Sequence, residues 1–225
     1  MDFSKGRKQI ILRHDIDTSL VMAHEMAKIN ADYKIKATFA LQIGSSLYNP
    51  FTTANIEIID GIHRMGHSII LHPRALAGQT IDEVRQSITS ELQAARCFFA
   101  YVQPVFVWHN LSINTRFRDL EIPNMVNFCS AQFGQKMHYI SDSVLRHKPE
   151  DFIAVLGKHE FIQMLFHPTA WMSGRDSIVP MLACVLSNII RECNHEFAQH
   201  PAWKSRFPDG MPDELLAKVK ELLSG

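Results

Sequence analysis

The strongest constraint on this chain is its alternation of short apolar runs with amphipathic helical stretches. Gln9 to Arg13 is a short β-branched run and reads as a first strand. Asp17-Thr18-Ser19 then offers caps for a helix whose Leu20, Ala23, Met26 and Ala27 follow helical spacing. Lys36 to Gln42 reads as strand two. Thr53 to Met65 forms a helix with Ile56, Ile59, Ile62 and Met65 on one face, stopped by Gly66. Ser68 to Leu71 is strand three. Thr80-Ile81-Asp82-Glu83 has the form of a capping box, opening a helix to about Phe99. Further strands are read at Val105 to Trp108, Met125 to Phe128, Met137 to Ser141 and Phe161 to Phe166, with a proline-opened helix at Pro149 to Leu156. From about residue 176 the chain is mostly helical, broken around Pro201 and Pro208–Pro212. Ile178 to Ile190 reads as a buried helix, and Asp213 to Leu223 as a final amphipathic one.

Strand–helix alternation of this kind argues for parallel pairing, in an open doubly wound sheet or a (β/α) barrel. The 225 residues suit one α/β domain with a helical C-terminal part. Parallel sheets gather their strand ends on one rim, where ligands bind. Strand one ends in His14-Asp15-Ile16-Asp17, strand three in His72 and strand four in His109. The strand from Met137 ends in Asp142, and the strand from Phe161 in His167-Pro168. Carboxylates and imidazoles are costly to collect near a core unless they bind metal, pair or react. Carboxylate plus imidazole is a zinc-type donor set with an open position for water, and a second carboxylate can accept a proton.

Each residue also has a plainer reading. Asp17 is placed to cap a helix, His72 and His167 precede prolines and can shape turns, His109 sits in a loop, and Asp142 between two serines suits an Asx-turn. Joint placement on one rim favours the chemical reading. His63, His67, His138, His147, His159, His195 and His200 share no placement and read as surface or packing residues. Trp108 and Trp171 flank His109 and His167 and offer faces for a sugar ring, or pack in the core.

The order of these motifs resembles the polysaccharide deacetylase family (NodB homology domain), over roughly residues 9 to 171. The resemblance rests on Arg13-His14-Asp15-Ile16-Asp17, Ala37-Thr38-Phe39, and Gly66-His67-Ser68-Ile69-Ile70-Leu71-His72. It continues with Tyr139-Ile140-Ser141-Asp142-Ser143 and Ile162 to Pro168. It is closest to a branch found among bacterial surface-polysaccharide (O-antigen) biosynthesis proteins. The resemblance implies a distorted (β/α) barrel and metal-assisted removal of an N-acetyl group from a sugar. It makes Asp15 the general base, Asp17 and His72 metal ligands, and His167 the general acid, with Asp142 beside it. The family's second ligand histidine falls at Leu76, and its arginine that steadies the base falls at Asn110. His109 is then the expected replacement ligand and Arg74 the expected replacement cation. Arg74, Trp108, Asn110 and Trp171 are the expected substrate contacts.

Charge narrows the partners. Lys+Arg and Asp+Glu are 23 each, so no net field favours nucleic acid or an anionic membrane. No run is long and apolar enough for a membrane span, and the first eight residues lead into no secretory h-region. The four cysteines show no C-x-x-C spacing and read as reduced, packed thiols of a cytoplasmic protein. The expectation is a cytoplasmic, zinc-dependent carbohydrate deacetylase acting in lipopolysaccharide assembly. The alternative is a catalytically retired barrel that binds carbohydrate or a partner protein.

Overall fold

β1 (Gln9–Ile16) is paired along both edges, to β2 (Thr38–Leu41) and to β7 (Phe161–Phe166), and so lies inside the sheet rather than at its rim. In this computed structural model, residues 8–110, 115–173 and 178–209 are described, with positions 212, 214, 217, 218 and 221. Among the described residues, seven strands, all parallel, run in the order β5-β4-β3-β2-β1-β7-β6 and curl into a half-barrel, as the (β/α) reading requires. The others are β3 (Ser68–Leu71), β4 (Val105–Phe106), β5 (Val126–Asn127) and β6 (His138–Ser141).

The helices begin and end where local chemistry directs. α1 (Leu20–Asp32) is capped by Ser19, whose hydroxyl accepts from Met22 N, and this leaves Asp17 uncommitted to capping. α2 (Thr53–Arg64) is followed by Gly66 at φ +89°, a left-handed conformation that costs glycine little. α3 (Ile81–Phe98) carries the full capping box between Thr80 and Glu83. α5 (Pro149–Lys158) starts on its proline. Two short helices, α4 (Ala131–Gly134) and α6 (Pro168–Met172), are too brief to leave a periodic signal in the sequence.

Strand alternation divides the protein chemically. Outward residues Ile16, Phe39, Leu41, Ile69 and Leu71 pack with Leu20, Ala23, Ile59, Ile62, Val84 and Ile88 of the covering helices. Burying each large side chain here is worth about 1.5–3 kcal/mol. The inner apolar cluster is much smaller and holds only Ala40, Ile70 and Val107 as buried members. Arg13 and Asp15 alternate onto the face of Ala40 and Ile70, since Asp15 pairs in register with Ala40, and Ala40 with Ile70.

Two histidines belong to the outer layer. His67 accepts from Ala37 N at 3.2 Å and donates through Nε2 to Ala27 O at 3.0 Å, tying α1 to the sheet. His14, first in the sequence motif, is 1% exposed; its Nε2 accepts from Asn30 Nδ2 at 2.7 Å and its ring lies 4.7 Å from Phe39. It therefore faces α1, away from the rim.

The chain divides into two compact units, Met1–Met181 and Leu182–Gly225. α7 (Ile178–Gln199) is not the buried helix expected: Val185 is its one buried residue, and Ile178, Val179, Leu182 and Leu186 are exposed. α8 (Pro201–Arg206) starts at the expected break. Of the amphipathic helix read over 213–223, positions 214, 217, 218 and 221 are described, and all four are helical. The cysteines are free, but Cys97 and Cys193 are exposed rather than packed. No helix among the described residues is long and apolar enough to cross a membrane.

Burial, against partial offset by Asp15, holds the His14 imidazole down at about 3. The unfolded chain binds a proton near 6.5 and the folded one does not, so stability must fall as pH drops from about 6.5 toward 3. Thermal unfolding between pH 7 and 4.5 should show this loss, and His14→Gln should flatten the slope. An unchanged slope contradicts the assignment.

Candidate metal centre

The register that sends Arg13 and Asp15 inward also builds the rim. Extending the β1–β2 and β2–β3 ladders by one residue aligns Asp17, Gln42 and His72 in one row. His72 N continues the β2–β3 ladder by donating to Leu41 O at 2.8 Å, and His109 N donates to Pro73 O at 2.9 Å, bringing the strand-four end alongside.

Three donor atoms converge there. His72 Nε2 is 3.1 Å from Asp17 Oδ1, His109 Nδ1 is 3.2 Å from the same oxygen, and the two nitrogens are 3.4 Å apart. Among the described residues this is the one cluster of three such groups whose ligand atoms all lie within 4.8 Å of each other. Ligand atoms about 2.1 Å from a tetrahedral zinc stand about 3.4 Å apart, so the spacing fits a small divalent cation. His72 is also correctly oriented: its Nδ1–H donates to Val107 O at 2.9 Å, which turns Nε2 inward.

Without a cation the cluster is held by protons. Burial works against charge on His72, but Asp15 and Asp17 outweigh it and raise its affinity for a proton. Burial likewise opposes the Asp17 carboxylate, yet hydrogen bonds from His109 and His72 hold its pKa well below the ordinary value. Arg74 Nη2 lies 3.0 Å from His109 Nε2 and, as a guanidinium, can only donate. Nε2 therefore accepts, and the proton on Nδ1 points at Asp17. For His109 to ligate through Nδ1, that proton moves to Nε2 and Arg74 moves off.

Asp15 stands beside this triangle. Arg13 Nε is 2.9 Å from Asp15 Oδ1 and Arg13 Nη2 donates to Oδ2 at 3.1 Å, with both side chains about 95% buried. Oδ2 also lies 3.5 Å from His72 Nε2. The cation expected at Arg74 is thus supplied by Arg13, because residues i and i+2 of a strand share a face; Arg74 contacts His109 instead. Leu76, where the resemblance expects a ligand histidine, is 59% exposed.

Across the rim, Asp142 is buried and accepts three hydrogen bonds. His167 Nδ1 donates to Oδ1 at 2.6 Å, while His167 N and Trp171 Nε1 donate to Oδ2 at 2.8 and 2.7 Å. This aims His167 Nε2 at the centre, 3.6 Å from Asp17 Oδ2. Burial disfavours the imidazolium, but Asp142, Asp15 and Asp17 overcome it and lift His167 to about 9.

The expected sugar contacts separate. Trp108 is 4% exposed in the outer core, 5.4 Å from Phe106 and 6.0 Å from Phe117, so it packs in the core and has no face for a sugar. Trp171 is half-buried against Phe166 beside His167. Asn110 is exposed at φ +55°, a conformation asparagine tolerates. Sequence reasoning did not assign Arg13 or Gln42 to the site. Their signals were the i, i+2 spacing to Asp15 and the place of Gln42 at the end of strand two.

No family model matches this chain, and no curated protein matches it. Solved structures do. A variant of a CE4 family pseudoenzyme from Bacillus anthracis, with restored enzymatic activity, aligns at TM-score 0.50 and 16% identity over 83% of this chain. A second variant of that pseudoenzyme gives the same values. This chain covers 64% of each of them, somewhat less than two thirds of their length. The peptidoglycan deacetylase PdaC from Bacillus subtilis aligns at TM-score 0.50 and 13% identity, over 92% of this chain and all of that one. At such identities the likeness is one of fold, and the fold is that of the polysaccharide deacetylases.

Two variants check the electrostatics. Arg13→Leu strands the Asp15 carboxylate in a buried position and should destabilise the fold by about 3–5 kcal/mol, read by denaturant unfolding. Asp142→Asn removes the charge that favours the imidazolium, so the NMR titration of His167 in metal-free protein should move down from about 9. A loss under 1 kcal/mol, or an unmoved titration, contradicts these roles.

Proposed function

We propose that this protein is a metal-dependent hydrolase that removes an acetyl or other N-acyl group from a sugar. The observation that carries the reading is the triangle of Asp17, His72 and His109 donor atoms, set between the Arg13–Asp15 pair and the Asp142–His167 pair.

Asp17, His72 and His109 would hold the cation, and two imidazoles with one carboxylate favour zinc. When bound, the metal supplies Lewis-acid polarisation of the acyl carbonyl and the attacking water. Asp15 takes the water's proton at Oδ2, the oxygen facing His72, while Arg13 fixes its carboxylate. His167 delivers the Nε2 proton to the departing amine, and Asp142 stabilises the imidazolium and fixes the ring. A protonated acid opposite an ionised base is the pairing such a hydrolysis needs at neutral pH. Trp171 and Arg74 stand at the rim as contacts for the sugar.

The order of sequence motifs supports extending this to a sugar intermediate of surface-polysaccharide assembly, acted on in the cytoplasm. Leu76 and Asn110, where the resemblance expects a ligand histidine and a cation, favour the alternative of a retired barrel that binds carbohydrate or a partner protein. His109 and Arg13 beside the aspartates support the hydrolase reading instead.

Acetate release should be measured from N-acetylated sugars and nucleotide-sugars. The expected result is release that stops on chelation, returns with zinc, and falls about 10²–10⁴-fold in Asp15→Asn. Folded protein that releases no acetate at any metal concentration contradicts the assignment.

A further inference from the structure

The rung that would close the β1–β2 ladder at the rim is not a direct one. Ile16 pairs in register with Leu41, so the next rung of the parallel ladder runs from Gln42 N to Ile16 O. At three other strand ends the equivalent rung is direct. There His72 N donates to Leu41 O at 2.8 Å, Val107 N to Leu71 O at 3.0 Å, and Asp142 N to Leu165 O at 3.2 Å. Between β1 and β2 the Tyr48 hydroxyl stands in the gap. It accepts from Gln42 N at 3.0 Å and donates to Ile16 O at 2.7 Å. We infer that Tyr48 is a positioning residue of the candidate metal centre, holding Asp17 in place through Ile16 and Gln42; this rests on the reading that Asp17, His72 and His109 hold the metal.

The hydroxyl reaches Asp17 by two routes. Ile16 O belongs to the peptide that leads into Asp17, so its bond to Tyr48 fixes where the Asp17 backbone begins. Gln42, held at its backbone N, donates from its side-chain amide nitrogen to Asp17 Oδ1 at 3.2 Å. Tyr48, Ile16, Asp17 and Gln42 thus close a ring of bonds around one strand end. The ring is shielded from water, with Tyr48 6% exposed in the outer core and Gln42 also buried. Burial raises the pKa of the phenol, so the hydroxyl keeps the proton it donates. An inserted hydroxyl spaces two strands more widely than a direct rung, since two hydrogen bonds span the gap instead of one. With that spacing Asp17 Oδ1 stands 3.1 Å from His72 Nε2. Without the hydroxyl, a buried N–H and C=O are left unpaired or drawn together. The first loosens Asp17, and the second changes its distance to His72. Groups that orient a metal ligand from behind set affinity in this way without touching the metal.

Zinc affinity, and the visible absorption of the cobalt-loaded protein, should be measured for the full chain and for Tyr48→Phe, Gln42→Leu, Ile62→Val and Asp17→Ala. Circular dichroism shows whether each is folded. Tyr48→Phe removes one oxygen, and should bind zinc about tenfold more weakly with a shifted cobalt band. Ile62→Val trims the buried face of α2, and should lose thermal stability while keeping parental affinity and band. A Tyr48→Phe protein that loses stability alone, with affinity and band unchanged, overturns the inference. So does an Ile62→Val protein that binds zinc as weakly as Tyr48→Phe, since any softening of the fold would then suffice. If Tyr48→Phe does not fold, Gln42→Leu decides, because it keeps the hydroxyl rung and removes the other hold on Asp17. It should then weaken binding in the same way, and parental affinity and band overturn the inference. Asp17→Ala must abolish binding throughout. If it binds like the parent, the three-ligand reading fails and this inference with it; if it abolishes binding while Tyr48→Phe stays parental, this inference alone fails.

Discussion

Everything at the rim depends on the register of β1 between β2 and β7. Pairing on both sides removes any freedom to slip, because a shift of one residue would exchange Ile16 and His14 with Asp15 and Arg13. The outer face is fixed by the apolar layer beneath α1, α2 and α3. That layer makes the alternative register prohibitively costly: it would press an aspartate and an arginine into hydrocarbon. The hydrophobic side of the sheet thus determines where the charged side points.

On the inner side, charge is organised by pairing rather than by solvent. Arg13 neutralises Asp15, Asp142 neutralises an imidazolium at His167, and Asp17 is left to His72 and His109. Two carboxylates two residues apart consequently have different surroundings. Asp15 is locked to a guanidinium that no ordinary pH removes, whereas the partners of Asp17 are imidazoles that can give up protons. In the proposed metal-bound state those protons would give way to a cation, with Arg74 and His109 Nε2 adjusting together.

Much of this was legible in the sequence. β3 and β7 have the read boundaries, and the capping box of α3 and the proline start of α5 were explicit in residue type. The strand-end reading located the rim, because parallel topology fixes which ends converge. It misjudged where pair contacts depend on face rather than position. His14 stands in the motif but turns outward to Asn30; Arg13 stands inside the strand and turns inward to Asp15. Trp108, next to His109 in sequence, alternates to the opposite face and into the core. α7 went astray for another reason: an apolar helix reads as buried whether or not anything covers it, and most of its large apolar residues are exposed.

The central claim is that Asp17, His72 and His109 together form a metal centre. The most direct measurement is a crystal structure of the zinc-soaked protein with anomalous scattering collected at the zinc edge. The account predicts one strong anomalous peak bonded to Asp17 Oδ1, His72 Nε2 and His109 Nδ1, with Arg74 withdrawn from His109. A rim without such a peak, with Arg74 still on His109 and zinc bound only elsewhere, would contradict it.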